Sequence, residues 1–204
     1  MAVSAPGSDA LRRARELSLA GLLGALGLLL PIGLHALGWG GKILLPMHLP
    51  LVVAAFVVGP ATAASLGLIV PLLSAALTGM PPIAPPIALL MSLELAAKSG
   101  VISLLYRKLR LPMWLALPAG LVADWAVLAL AAIATAGFFH ISASPLKYVW
   151  AAVLLSWPGT MLQLVAAPLG VAAIERRLPR LAMERNPGRA PGDAARAAGE
   201  DREG

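Results

Sequence analysis

The sequence predicts an all-α integral membrane bundle of about six transmembrane helices, with both termini in the cytoplasm. Three observations predict it: a shortage of charge, long charge-free runs, and basic clusters that all fall on one side. The chain of 204 residues is 59% apolar and 13% charged, with a mean hydropathy of +0.82. Soluble domains carry roughly 25% charged residues. A chain this short cannot hide such a deficit in a larger core, because it still needs a wetted surface. The missing water-facing surface is therefore read as facing lipid.

Charges mark the boundaries of the elements. Residues 17–41, 43–93, 125–146 and 148–174 contain none. A spanning helix needs about 20 apolar residues, so 43–93 must turn within itself. Gly59-Pro60 is one turn, and the four prolines of Gly79–Pro86 make another. The resulting helices lie near 16–37, 46–59, 61–78, 86–107, 112–138 and 146–175. The second is short and carries Pro50; the sixth carries Pro158 and Pro168, where kinks are expected. The chain divides into a cytoplasmic segment 1–15, a membrane domain 16–176 and a tail 177–204. The tail is basic, then alternates Ala, Gly and charge from about 186, with too little apolar surface to order itself.

Orientation follows from lysine and arginine. Arg12, Arg13 and Arg15 precede the first helix, Arg107, Lys108 and Arg110 separate the fourth and fifth, and Arg176, Arg177, Arg180 and Arg185 follow the sixth. With six spans all three clusters share one side, which reads as cytoplasmic; the other side has only Lys42 and Lys147. A four-span arrangement with 46–78 as a re-entrant hairpin has the same parity. Trp39, Tyr148 and Trp150 fit an outer aromatic belt, and Tyr106 and Trp114 an inner one. The formal charge of +6 is thus a topology signal rather than a nucleic-acid surface. The basic N-terminus leads into an apolar run longer than a signal core, with no clean cleavage site. With no cysteine, disulfides and thiolate metal sites are excluded.

Glu94, Lys98 and Asp124 fall deep within the spans. A charge at that depth costs roughly 2.5–3.5 kcal/mol even on lenient scales, which marks it as a functional candidate. At about 1.5 Å per residue, Glu94 and Asp124 reach similar depth on their two helices. Lys98 is one turn from Glu94 on the same face. The functional reading is the floor of a cavity where Glu94 meets a cationic or hydrogen-bonding substrate group. The alternative is a neutralised pair, Glu94 with Lys98 or Lys98 with Asp124, that locks two helices; Lys98 snorkelling to the inner face is a third.

His35, His48 and His140 all fall on the outer side in this reading. His48 and His140 are candidates for substrate contact, although their spacing matches no short metal-ligand pattern and no metal site is expected. Trp125 and Trp157 lie deeper than the belts and could stack on a planar ligand, against the plainer reading of helix packing; Trp157 and the outer-belt Trp150 are candidates for substrate contact. Gln163 is a lone amide deep in the sixth helix, suited equally to an interhelical bond or a ligand. Ala20/Gly24 and Gly21/Ala25 are small-xxx-small pairs that admit another helix, either a partner's or one of the bundle. No phosphate loop, HExxH or GxSxG occurs, so neither an enzyme nor a cofactor is expected.

Several segments in order resemble one family: Leu45–Pro50 (LPMHLP), Val58-Gly59-Pro60, Pro71–Ser74 (PLLS), Leu77–Pro82 (LTGMPP), Glu94-Leu95-Ala96 and Leu105–Leu109 (LYRKL). Together they resemble the substrate-binding S component of energy-coupling factor (ECF) transporters, over about residues 15–176. The resemblance implies a six-helix bundle in the cell (inner) membrane that binds a vitamin or related micronutrient on its outer side. It implies a transmembrane T component and cytoplasmic ATPases as partners, membrane lipid as surroundings, and no nucleic acid. Helix one of that family packs on the T component through an Ala-xxx-Ala motif, to which Ala20/Gly24 or Gly21/Ala25 is the approximate match. The family's ligand regions include those holding Glu94, His140, Trp150 and Trp157. Two other readings stand beside it. One is a nickel- or cobalt-type uptake subunit of the same machinery, against which Met47-His48 is internal rather than N-terminal. The other is a membrane scaffold without transport.

Overall fold

In a computed structural model the described residues are 6–36, 47–83, 87–139 and 145–177. They form six helices: α1 (Pro6–Ala36), α2 (His48–Val57), α3 (Pro60–Thr78), α4 (Ile87–Ser103, continued by a π-helical turn Leu104–Lys108), α5 (Met113–Phe139) and α6 (Pro145–Arg177). All but α2 are long and apolar enough to cross a membrane. The chain is therefore an all-α, multi-pass membrane bundle, as its composition predicts.

Helix ends follow local chemistry. Pro60 sits in the first turn of α3, where a missing N–H costs nothing. Gly79 ends α3 in the left-handed region at φ 73°, a conformation glycine adopts without strain. Beyond it Ser74 and Thr78 both donate to the Met80 carbonyl, at 2.8 and 3.2 Å. Two departures from the expected spans stand out. Helix α1 reaches back to Pro6, ten residues before the expected start at 16, because Ala10–Glu16 is rich in Ala, Leu, Arg and Glu, all good helix formers. Helix α2 is only ten residues, too short to span on its own.

Neighbouring helices approach closely where the sequence offers glycine. A β-carbon on Gly67 of α3 would lie 2.5 Å from the Leu95 carbonyl of α4. One on Gly120 of α5 would collide with Ile102 of α4. α4 is thus packed closely against both α3 and α5.

α2 runs through the middle of this bundle and is buried along almost its whole length. It packs on α1, α4 and α6. Its direction is fixed by contacts at both ends. His48 meets Lys98, and nine residues further along each helix Val57 meets Arg107. α2 therefore runs parallel to the second half of α4, over about 13 Å. In a hydrocarbon core of about 30 Å it fills one half of the bundle axis.

That half is the basic end. Glu16 near the start of α1 accepts from the Gly59 N–H at 2.8 Å and from the Thr62 hydroxyl at 2.6 Å. Arg107 donates to the Val57 carbonyl and Ser103 to the Val58 carbonyl, both at 2.7 Å. These bonds gather the start of α1, the α2–α3 turn and the end of α4 together, and with them Arg12–Arg15 and Arg107–Arg110. α5 begins at this end; only five residues join it to α6, so α6 returns to this end and brings Arg176 and Arg177 with it. The grouping of basic residues expected from six crossings is thus reached with five spans and a half-length α2. Tyr106 is corrected here. It is not an interfacial ring but a core one, 2% exposed, edge-on to Phe56 at 4.8 Å. The π-turn rotates it inward onto α2.

Candidate functional site

The start of α2 is where the polar residues converge. A ten-residue helix that finishes at the basic end must begin near mid-depth, so His48 lies inside the bundle rather than at its outer mouth as the sequence reading had it. Its Nδ1 is 3.0 Å from the Lys98 Nζ, and the same ammonium lies 2.8 Å from Asp124 Oδ2 on α5. Lys98 is 1% exposed. The ion pair resolves the alternatives for Lys98: it pairs with Asp124 and does not snorkel.

The geometry sets the tautomer of His48. An ammonium only donates, so Nδ1 accepts and the proton of the neutral ring resides on Nε2. That Nε2 is buried and has no partner. Asp124 Oδ1 is likewise buried and unpartnered. On α6, Gln163 is 1% exposed, and neither its oxygen nor its nitrogen is bonded. Gly170 of α6 lies against Val53 of α2. Gln163, seven residues earlier, is therefore within about one helical turn of the depth of His48. Ser99, beside Lys98, adds another unbonded buried hydroxyl. Buried polar atoms without partners are uncommon in proteins, and each needs an explanation. Here they lie at similar depth, forming one polar layer across the bundle.

The other candidates separate. Glu94 is one turn along α4 from Lys98, away from the basic end, and half-buried. Trp150 and Trp157 do not join the layer: each is 59% exposed. Pro158 leaves α6 unbroken, so the helical period keeps Thr160, Gln163, Ala167 and Val171 on the buried stripe and both indoles off it. His140 lies outside the described residues, as does the side chain of His35. The small residues of α1 divide. Ala20 and Gly24 are buried, with Leu66 and Val70 of α3 against Gly24, so these two serve packing within the bundle. Gly21 and Ala25 remain exposed on the outer face.

Sequence reasoning missed two things. The link between His48 and Lys98 spans 50 residues and depends on where the short α2 begins. The other is the bond from Glu16 to the start of α3, across 43 residues. A signal for it existed: Gly59 offers no side chain to cap α3, so the cap must come from elsewhere.

Among the described residues no group of three or more metal-ligating side chains comes together. No family model matches the chain, and neither does any curated protein or solved structure.

Proposed function

We propose that this chain is the substrate-binding membrane subunit of an ECF-type uptake system, taking up a vitamin or related micronutrient at the end opposite its basic residues. The observation that carries the reading is the half-length α2. It closes the basic half of the bundle axis and sets His48, Lys98 and Asp124 at mid-depth, with open valences at its own start. Helices that stop at the membrane midplane and direct their first-turn N–H groups at a ligand are a recurrent device of transporters. Glu94, one turn further out, is the carboxyl group available to the distal part of the substrate. The motifs of the sequence point the same way, as does the absence of any nucleotide-binding loop, which leaves energy to partner ATPases.

On this reading the basic end faces the cytoplasm of a cell (inner) membrane. The exposed Gly21 and Ala25 face is the part of α1 available to a T component. Uptake of a metal ion fits less well, because the Lys98 ammonium already holds Nδ1 of His48 and repels a second cation.

The test is binding and uptake together. The purified chain should retain a small organic ligand detectable by mass spectrometry, and should bind one member of a radiolabelled vitamin panel. Cells carrying the chain with T component and ATPases should accumulate that compound. A chain that binds no member of the panel and supports no uptake would return the scaffold reading to first place.

A further inference from the structure

The open atoms of the polar layer describe the chemistry of what they hold. This inference rests on the reading that a small molecule occupies the bundle, and it names that molecule's recognised part. His48 Nε2 is a donor without an acceptor, and Asp124 Oδ1 is an acceptor without a donor. Both groups hang from one ammonium nitrogen, at 3.0 and 2.8 Å, so they are neighbours. The first-turn N–H groups of α2, which have no partner within the helix, begin at the same place and add further donors. Gln163 offers an NH2 donor group and a carbonyl acceptor at similar depth.

Charge narrows the class. Lys98 and Asp124 offset each other, and His48 is neutral by the tautomer argument above. Glu94, one turn further out on α4, has no cation paired with it among the described residues and is counted as a neutral carboxyl group. The layer then has no net charge to give, so a buried ionic ligand group would sit there uncompensated, at high cost. A neutral group that carries both an acceptor and a donor matches these open atoms: a C=O for His48 and the α2 N-terminus, and an N–H for Asp124. We propose that the layer of His48, Asp124 and Gln163 binds the edge of a lactam, cyclic urea or similar amide-like ring, rather than a carboxylate, a phosphate or an amine.

Gln163 gives the inference its sharpest handle. An empty layer leaves its amide unsatisfied, so Gln163→Met should stabilise the ligand-free chain while weakening the ligand. A purely structural amide gives the opposite sign on stability. The full-length chain in detergent would be probed with four small molecules: uracil, which presents the donor–acceptor edge; 1,3-dimethyluracil, which has the same ring without N–H; benzoate; and methylguanidinium. Binding is read by saturation-transfer NMR and by the shift in melting temperature. The expected result is binding of uracil, with dimethyluracil weaker by roughly tenfold or more, since a buried carboxylate oxygen is then left without its donor. Benzoate and methylguanidinium should fail. Gln163→Met should melt higher than the parent and bind uracil less. His48→Phe, which keeps a ring of similar size, should bind it less whether it melts higher or lower.

Equal binding of uracil and dimethyluracil, preference for either ion, or no binding of any probe would overturn the assignment. So would uracil binding unchanged in both variants. If the vitamin panel and uptake succeed while uracil fails, the transporter reading stands and this inference alone falls. If uracil binds as described but no uptake is seen, the layer is a lactam site and the transporter reading falls.

Discussion

At the basic end of the bundle, Glu16, Ser103 and Arg107 each meet a backbone group that a helix terminus would otherwise leave bare. About one helix length away, at the other end of α2, His48, Asp124, Ser99 and Gln163 are as deeply buried, yet carry polar atoms that meet nothing. Both regions lie against the same short helix. The first is what folding requires, because orphan carbonyls and N–H groups in a membrane must be satisfied by the protein itself. The second is not required by any backbone. This contrast separates polar residues that satisfy helix ends from polar residues that do not.

The largest effect should come from what holds both regions in place. Gly67→Val puts branched carbon into the Leu95 backbone. Ordinary overpacking costs about 1–3 kcal/mol; here the obstacle is backbone that cannot step aside, so little folded protein should survive detergent extraction and size-exclusion chromatography. Recovery of a normal monodisperse peak would show that α3 and α4 do not approach as described.

Next in size is the buried pair. Lys98→Met leaves Asp124 without its ammonium, and breaking such a pair costs about 3–5 kcal/mol. Adding Asp124→Leu should recover most of the lost melting temperature, yet it should not restore ligand binding. A double variant that binds as well as the parent would mean the pair is only a helix lock.

Glu94→Gln keeps the shape and exchanges the carboxyl group for an amide. Leaving a buried donor of the ligand unmet costs about 1–3 kcal/mol, or roughly 5- to 150-fold in affinity. Titration calorimetry should show this beside an unchanged melting temperature. Unchanged affinity with a lower melting point would move Glu94 to the structural side of the comparison.

The smallest effect belongs to the basic end. Glu16→Ala removes the cap of α3 and should lower stability by about 0.5–2 kcal/mol with ligand affinity intact. An affinity loss larger than the stability loss would blur the line between the two regions.

The sequence disclosed this division unevenly. The long spans were legible because charge-free runs and their bounding arginines are one-dimensional features, as were the turns at Gly59-Pro60 and Gly79. Glu94, Lys98 and Asp124 were legible as intramembrane charges, but not which of the two carboxyl groups Lys98 would choose. That choice depends on the antiparallel register of α4 and α5, set by Gly120 against Ile102. The depth of His48 was not legible. A short helix near 46–59 was expected, close to the observed His48–Val57, but whether its start lies at the outer mouth or at mid-depth depends on which neighbours it meets, and the sequence does not carry that. The exposure of Trp157 was not legible either: α6 runs on through Pro158, and the helical period then turns the indole off the buried stripe.

The central claim is that the polar layer is a binding site reached from the end opposite the basic residues. The chain contains no cysteine, so single cysteines can be placed on a silent background. Gln163→Cys sits in the layer, Ser103→Cys lies buried on the basic side of it, and Leu109→Cys marks the basic end itself. Intact cells would be treated with a membrane-impermeant methanethiosulfonate linked to an uncharged, strongly polar sugar. The account predicts modification at 163, none at 103, and modification at 109 only after permeabilisation. Labelling at 163 no faster than at 103, or labelling of 109 in intact cells, would contradict it.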